Sequence, residues 1–123
     1  MRVGVDLVDV AAFRTRFDGR DDLLADTFSE AELAYCRSQH RPWVHLAARF
    51  AAREATLKAL GTGWADAMRW RDVEVTRDPA GAPGLAFSGA VADAVAKAGF
   101  TRSTVSLSHT ETHAIAIVAL LCR

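Results

Sequence analysis

Glu54 and Lys58 lie four residues apart in a stretch free of proline and glycine, a spacing that puts a carboxylate and an ammonium on one face of a helix. An exposed pair of that kind adds only about 0.2–0.5 kcal/mol, so spacing alone also fits an ordinary solvated ion pair. The small residues Ala51, Ala52 and Ala55 nearby predict a face that a partner element or a ligand can approach closely, leaving room for a pocket. Asp6 is the second unusual residue. It interrupts the apolar run from Val3 to Val10, where desolvation of a carboxylate is costly without a cation or hydrogen-bond donors. A position at an exposed sheet edge would account for it equally well. If Asp6 and Glu54 converge, they form an oxygen site suited to magnesium, which takes a few carboxylates together with waters and substrate phosphates. Phosphoryl chemistry uses that arrangement.

The other chemically able residues have plainer readings beside the sharper ones. His109 and His113 stand in His-Thr-Glu-Thr-His, which is not the His-Glu-x-x-His zinc pattern and does not read as helical, so a surface turn fits better than zinc. Arg41, Arg49 and Arg53 can grip phosphates with planar forks of donors, and by default are solvated helix charges. Cys36 and Cys122 carry no sign of activation and form no Cys-x-x-Cys pair, which makes them reduced packing thiols. Trp43, Trp64 and Trp70 read as core or interface aromatics.

The elements that must position these groups follow from pattern. Val3, Val5 and Leu7 alternate with Gly4, Asp6 and Val8, which predicts a buried strand carrying one acid. Arg14 to Asp22 is polar and reads either as a helix surface or as a loop around Gly19. Ser29 and Glu32 make a capping box for a helix over Glu30 to Ser38, broken by His40, Arg41 and Pro42. Val44 to Leu60 is dominated by Ala, Leu, Arg, Glu and Lys, and the helix it predicts, beginning near Trp43, ends at Gly61, Thr62 and Gly63. Asp72 to Arg77 and Gly84 to Phe87 predict a hairpin across Pro79 to Pro83. Ser88 predicts the cap of a helix over Ala90 to Ala98, closed by Gly99. Val105 to Leu107 and Ala114 to Leu121 predict two antiparallel strands. The sum is an α+β chain, a mostly antiparallel sheet packed against a long central helix.

Composition sets the outer bounds. At 123 residues, 50% hydrophobic and 24% charged, the chain fits a single folded domain over residues 1–123. Its formal net charge is +0, so no long-range field recommends nucleic acid or an anionic membrane, and an anion must be gripped locally. No apolar run approaches the roughly 20 residues of a membrane-spanning helix, and the opening residues read as a strand rather than a targeting segment, which predicts a cytoplasmic protein.

Three segments together carry a resemblance: Gly4-Val5-Asp6-Leu7-Val8; Ala48-Arg49-Phe50-Ala51-Ala52-Arg53-Glu54-Ala55 running on through Lys58-Ala59-Leu60-Gly61-Thr62-Gly63; and Ser106-Leu107-Ser108-His109. In order and spacing, over nearly the whole chain, they resemble the short bacterial holo-acyl-carrier-protein synthases, a branch of the phosphopantetheinyl transferase superfamily. The resemblance implies that Asp6 and Glu54 hold Mg2+ against the diphosphate of coenzyme A and that Lys58 assists charge or proton transfer. Arg49 and His109 would contact the nucleotide phosphates or ribose, with Arg41 a weaker candidate and Gly61 a further coenzyme contact. It also implies attack by the serine hydroxyl of an apo acyl carrier protein on the β-phosphate, with Lys58, Glu54 or water as the base. A homotrimer with sites between subunits is implied as well. Three positions depart from the pattern. Arg53 stands where lysine is usual, Ala82 replaces a basic residue, and Ala12 falls where a basic residue often faces the carrier, a task open to Arg14, Arg16 or Arg20. These departures keep a second reading open, a non-catalytic module of the same fold that binds the carrier protein or coenzyme A.

Overall fold

The computed structural model of the chain describes residues 1–122. Strand β1 (Arg2–Asp9) leads into helices α1 (Val10–Phe17), α2 (Asp21–Thr27), α3 (Glu30–Arg37) and the long α4 (Pro42–Leu60). A 3-10 turn at Trp70–Asp72 precedes the hairpin of β2 (Val73–Arg77) and β3 (Pro83–Phe87), then α5 (Gly89–Lys97), β4 (Arg102–His109) and β5 (His113–Leu121). The strands form two antiparallel sheets: a three-stranded one in the order β1-β5-β4, and the β2-β3 hairpin. Helix α4 lies across the larger sheet, in contact with all three of its strands.

The ambiguous stretch after β1 resolves into two short helices. Asp9 caps α1, its carboxylate accepting from the Ala12 amide at 2.9 Å, and so converts the end of a strand directly into a helix. Gly19, at φ 74°, turns the chain into α2, whose first turn holds Asp21 and Asp22 where the helix dipole favours negative charge. Helix α4 starts at Pro42, a residue well placed in a first turn because its missing N–H has no partner there anyway. Ser88 occupies the N-cap of α5 but makes no side-chain capping bond.

Strand β1 is buried on the face opposite to the one its composition suggests. Val3, Val5 and Leu7 are 55%, 48% and 62% exposed, while Gly4 is buried beneath α4. Size decides the matter. A Cβ on Gly4 would stand 2.6 Å from the Ala59 amide nitrogen and closer still to the Ala55 carbonyl oxygen. The alanine face of α4 therefore meets the sheet and not a ligand: Ala51, Ala52, Ala55 and Ala59 pack with Ala116, Val118 and Leu120 of β5. The pocket expected over Ala51, Ala52 and Ala55 is filled by strand backbone. This close seat fixes the depth at which Asp6, two residues beyond Gly4 on the same face, meets the helix.

Arg53 is not a solvated charge. Its side chain and that of Glu32 are both 0% exposed and form a forked ion pair, Nη1 to Oε2 at 2.9 Å and Nη2 to Oε1 at 2.5 Å. The remaining donors reach the carbonyls of Trp70 at 2.9 Å and Arg49 at 3.1 Å. Glu32 completes its own set with the amides of Ser29 (2.9 Å) and Val75 (3.1 Å), so the capping-box glutamate also ties α3 to α4 and to the hairpin.

Candidate functional site

Asp6 and Glu54 meet. Both line a cavity of about 350 Å³ together with Asp9, Arg16, Phe13 and Phe50, and Asp6 accepts a hydrogen bond from the Lys58 ammonium at 2.9 Å. The strand contributes one acid because Gly4 lets β1 sit low on α4, and the helix contributes Glu54 and Lys58 because residues four apart share a face. Glu54 also lines a second cavity, of about 410 Å³, with Lys58, Gly61, Gly63 and Trp64. The two spaces adjoin at its carboxylate. Gly61 ends α4 in the left-handed conformation at φ 79°, its amide bonded to the Leu57 carbonyl at 3.0 Å, and the loop it starts carries Trp64 over this second space.

The electrostatics point the same way. Burial, and after it the negative charge of Asp6, push the Glu54 carboxyl above its ordinary range, and Lys58 and Arg16 offset only part of the rise. The Trp64 indole N–H also lowers it somewhat, although that buried donor completes no hydrogen bond of standard geometry. An acid whose charge is disfavoured by burial and by a neighbouring acid is matched to a cation. Among the described residues no three His, Cys, Asp or Glu side chains gather as metal ligands, so this is no closed zinc-type cage. Two hard oxygens beside open space are a donor set that magnesium can complete with water and phosphate oxygens.

Arg49 and His109 lie elsewhere, and each touches His45. Arg49 is 4% exposed, its Nη1 donates to the His45 carbonyl at 3.2 Å, and its Nε has no partner. Its guanidinium lies 4.7 Å from the Tyr35 ring centre, and that of Arg77 lies 4.0 Å from the same ring. His109, at the end of β4, packs against His45 with ring centres 5.2 Å apart. Arg49, Arg77 and Tyr35 line a cavity of about 310 Å³ that does not include Asp6 or Glu54. The sequence reading missed Tyr35, His45 and Arg77 here. The i, i+4 spacing of His45 and Arg49 was the available sign; Arg77 came from the hairpin, with no local mark.

Arg41 joins neither group. It forms an exposed ion pair with Glu111 at 2.8 Å and lines a fourth cavity with Arg14, His40 and Trp43. His113 bonds Thr112 and lies 3.9 Å from Asp9, with no metal-like set around it among the described residues. Cys36 is buried, and burial pushes its thiol up to about 11, away from reactivity.

Comparisons with known proteins span nearly the whole chain. Residues 2–118 match the family described as the 4′-phosphopantetheinyl transferase superfamily. A holo-[acyl-carrier-protein] synthase of Moorella thermoacetica is 38% identical over 117 residues, covering 95% of this chain and 91% of the relative. One from Desulforudis audaxviator is 44% identical over 117 residues, covering 93% and 87%. A solved structure from Chronobacterium ammoniagenes, a complex of that synthase with coenzyme A, superposes with a TM-score of 0.82 at 27% identity, covering 98% of this chain and 96% of that one. With matches running almost from end to end, the chain belongs to the 4′-phosphopantetheinyl transferase superfamily.

Proposed function

We propose that this protein is a holo-acyl-carrier-protein synthase, which moves the 4′-phosphopantetheine arm of coenzyme A to a serine hydroxyl of an apo acyl carrier protein and releases adenosine 3′,5′-bisphosphate. The observation that carries this reading is the convergence of Asp6, Glu54 and Lys58: the two acids line one cavity, Glu54 and Lys58 line the next, and the ammonium stands 2.9 Å from Asp6. The donor set suits Mg2+, held by Asp6 and Glu54, and when bound it would neutralise charge on the diphosphate oxygens. Lys58 is half exposed on its side chain, free to leave Asp6 and meet a phosphate oxygen of the leaving nucleotide. Gly61 and Trp64 wall the space beside it, where the pantetheine arm lies. Arg16, on the rim of the acid cavity, and Arg14 on the same helix give the acidic carrier its contact in place of Ala12.

Arg49, in its separate cavity, and His109, which reaches it only through His45, take a phosphate of the nucleotide. That separation, and the apolar strip of Val3, Val5, Leu7 and Ile117 left exposed on the outer face of the larger sheet, favour a homotrimer in which the acids of one copy face the arginine cluster of the next. Sedimentation at several protein concentrations tests the assembly: Val5→Glu with Ile117→Glu is expected to yield folded monomers, and unaltered protein sedimenting as a monomer rejects it. No helix of the described residues is long and apolar enough to cross a membrane. We place the reaction in the cytoplasm.

Intact-mass analysis of a panel of apo carrier proteins, incubated with the protein, magnesium and coenzyme A, tests the activity. Addition of one phosphopantetheine is expected on at least one carrier and is abolished by Asp6→Ala. Binding without transfer, unaffected by that substitution, would instead establish a non-catalytic module.

A further inference from the structure

His45 has no role in the reading above, yet it sits among several positive and protonatable groups. Its imidazole is half-buried on α4. His109 faces it from β4 with ring centres 5.2 Å apart, and Tyr35 faces it from α3 at 5.9 Å with the rings perpendicular. Arg49, one turn along α4, binds its carbonyl, and Arg77 approaches from β2. Glu74 and Glu32 line the cavity that Arg49 and Arg77 share, but the Glu32 carboxylate is already committed to Arg53.

A nearly buried guanidinium with an orphaned Nε and no carboxylate partner among the described residues is a costly arrangement unless an anion completes it. We propose that His45, which adjoins this pocket through Arg49 and Tyr35, is proton-coupled to it, taking up a proton from solvent when a phosphomonoester dianion binds between Arg49 and His109 and thereby favouring coenzyme A over its form lacking the 3′-phosphate. The inference rests on the reading that Arg49 and His109 receive a nucleotide phosphate.

The direction of the coupling follows from the neighbours. Burial, His109, Arg49 and Arg77, in that order, hold the His45 imidazole below its ordinary range, so it is neutral in the free protein at neutral pH. A dianion brings two negative charges and reverses that balance. The bound state then holds a proton that the free state lacks, and affinity rises as pH falls from the higher of the two pKa values toward the lower. One linked proton gives up to about a tenfold change in affinity per pH unit. The window lies above about pH 6, where the phosphate is itself a dianion.

Calorimetry of adenosine 3′,5′-bisphosphate binding near neutral pH, in two buffers of different ionisation enthalpy, reads the proton directly. The unaltered protein is expected to take up part of a proton, and His45→Asn to lose roughly half or more of that uptake with a flatter dependence of affinity on pH. Coenzyme A without its 3′-phosphate should show no His45-dependent uptake. Equal uptake in the variant, or equal uptake with the dephosphorylated coenzyme, would overturn the proposal. Because a substitution in α4 can disturb folding, imidazole titration by nuclear magnetic resonance in the unaltered protein supplies a second measure. The His45 midpoint must move up when the bisphosphate saturates the site, and a fixed midpoint overturns the proposal as well. Arg49→Met separates the two levels. If it weakens bisphosphate binding while His45→Asn behaves as unaltered protein, only the His45 inference falls. If Arg49→Met leaves binding intact, the phosphate reading falls and takes the inference with it.

Discussion

Arg53 and Arg49 lie one turn apart on the same helix and are both withdrawn from water, at 0% and 4% exposure, yet their surroundings have little else in common. Arg53 faces a carboxylate that matches its fork and two carbonyls that take its other donors. Arg49 faces one carbonyl and the ring of Tyr35, with an Nε left over. Burying a charge is costly in both places. In the first the cost is offset within the chain; in the second, on the function proposed above, it is offset when a ligand anion arrives. Residue type and helix position therefore do not separate a structural arginine from a binding one. What neighbouring elements return to it does.

Breaking the closed pair should produce the largest effect. Arg53→Met or Glu32→Gln leaves a buried partner uncompensated, and urea unfolding is expected to show a loss of about 3–5 kcal/mol. Removing both, as Arg53→Met with Glu32→Leu, should recover only part of it, because the Ser29 and Val75 amides lose their acceptor as well. A near-neutral Arg53→Met would erase the contrast with Arg49.

The acid cavity supplies the next test, since it too holds charge that its own fold does not settle. Glu54→Gln is expected to lower kcat/KM by about 10²–10³-fold. Its effect on the metal-free protein should have the opposite sign. Glu54 is raised above its ordinary 4.5 in the fold, so the folded chain holds that proton more tightly than the unfolded chain. The resulting stability is complete below 4.5 and lost as pH rises through the higher folded value. A neutral amide keeps it, and the thermal midpoint of Glu54→Gln at neutral pH should exceed that of the unaltered chain. A lower midpoint would mean that Glu54 is satisfied as Glu32 is.

How far the sequence discloses this contrast can be judged from single residues. The Ser29 and Glu32 capping box, the long helix over Val44 to Leu60, the hairpin and the last antiparallel pair were all legible, because each is a local pattern of caps, breakers and periodicity. Asp6 stood out through the cost of an acid in an apolar strand, but its pairing with Glu54 entered only as a condition and as what the family resemblance implies. The orientation of β1 was not. Alternation reveals two faces without saying which is covered, and the buried face is the one with glycine because the helix backbone comes so near. Nor could Arg53 be told from Arg49, since its partners lie 17 and 21 residues away, on segments whose docking no local pattern encodes.

Gly4 tests whether that close seat positions the chemistry. Gly4→Ala places a methyl against the α4 backbone and is expected to cost about 1–3 kcal/mol in stability. It should also reduce transfer, by lifting Asp6 from Glu54, although no charged group has changed. A variant as destabilised as this but fully active would show that the acids adjust independently of the strand.

The smallest effect, and the sharpest for the comparison, belongs to Arg49→Met. If its guanidinium is held in reserve for an anion, deleting it removes an unpaired buried charge from the free protein, and unfolding free energy should stay the same or rise slightly. The loss should appear only on binding, as a decrease of about tenfold in affinity for adenosine 3′,5′-bisphosphate, the scale of one charge-assisted hydrogen bond. Arg49→Lys keeps the charge but not the fork, and should recover only part of that affinity. Were Arg49→Met instead to unfold the chain as Arg53→Met does, the stacking on Tyr35 would have to count as a structural contact equal to a carboxylate. The two arginines would then differ in partner but not in role.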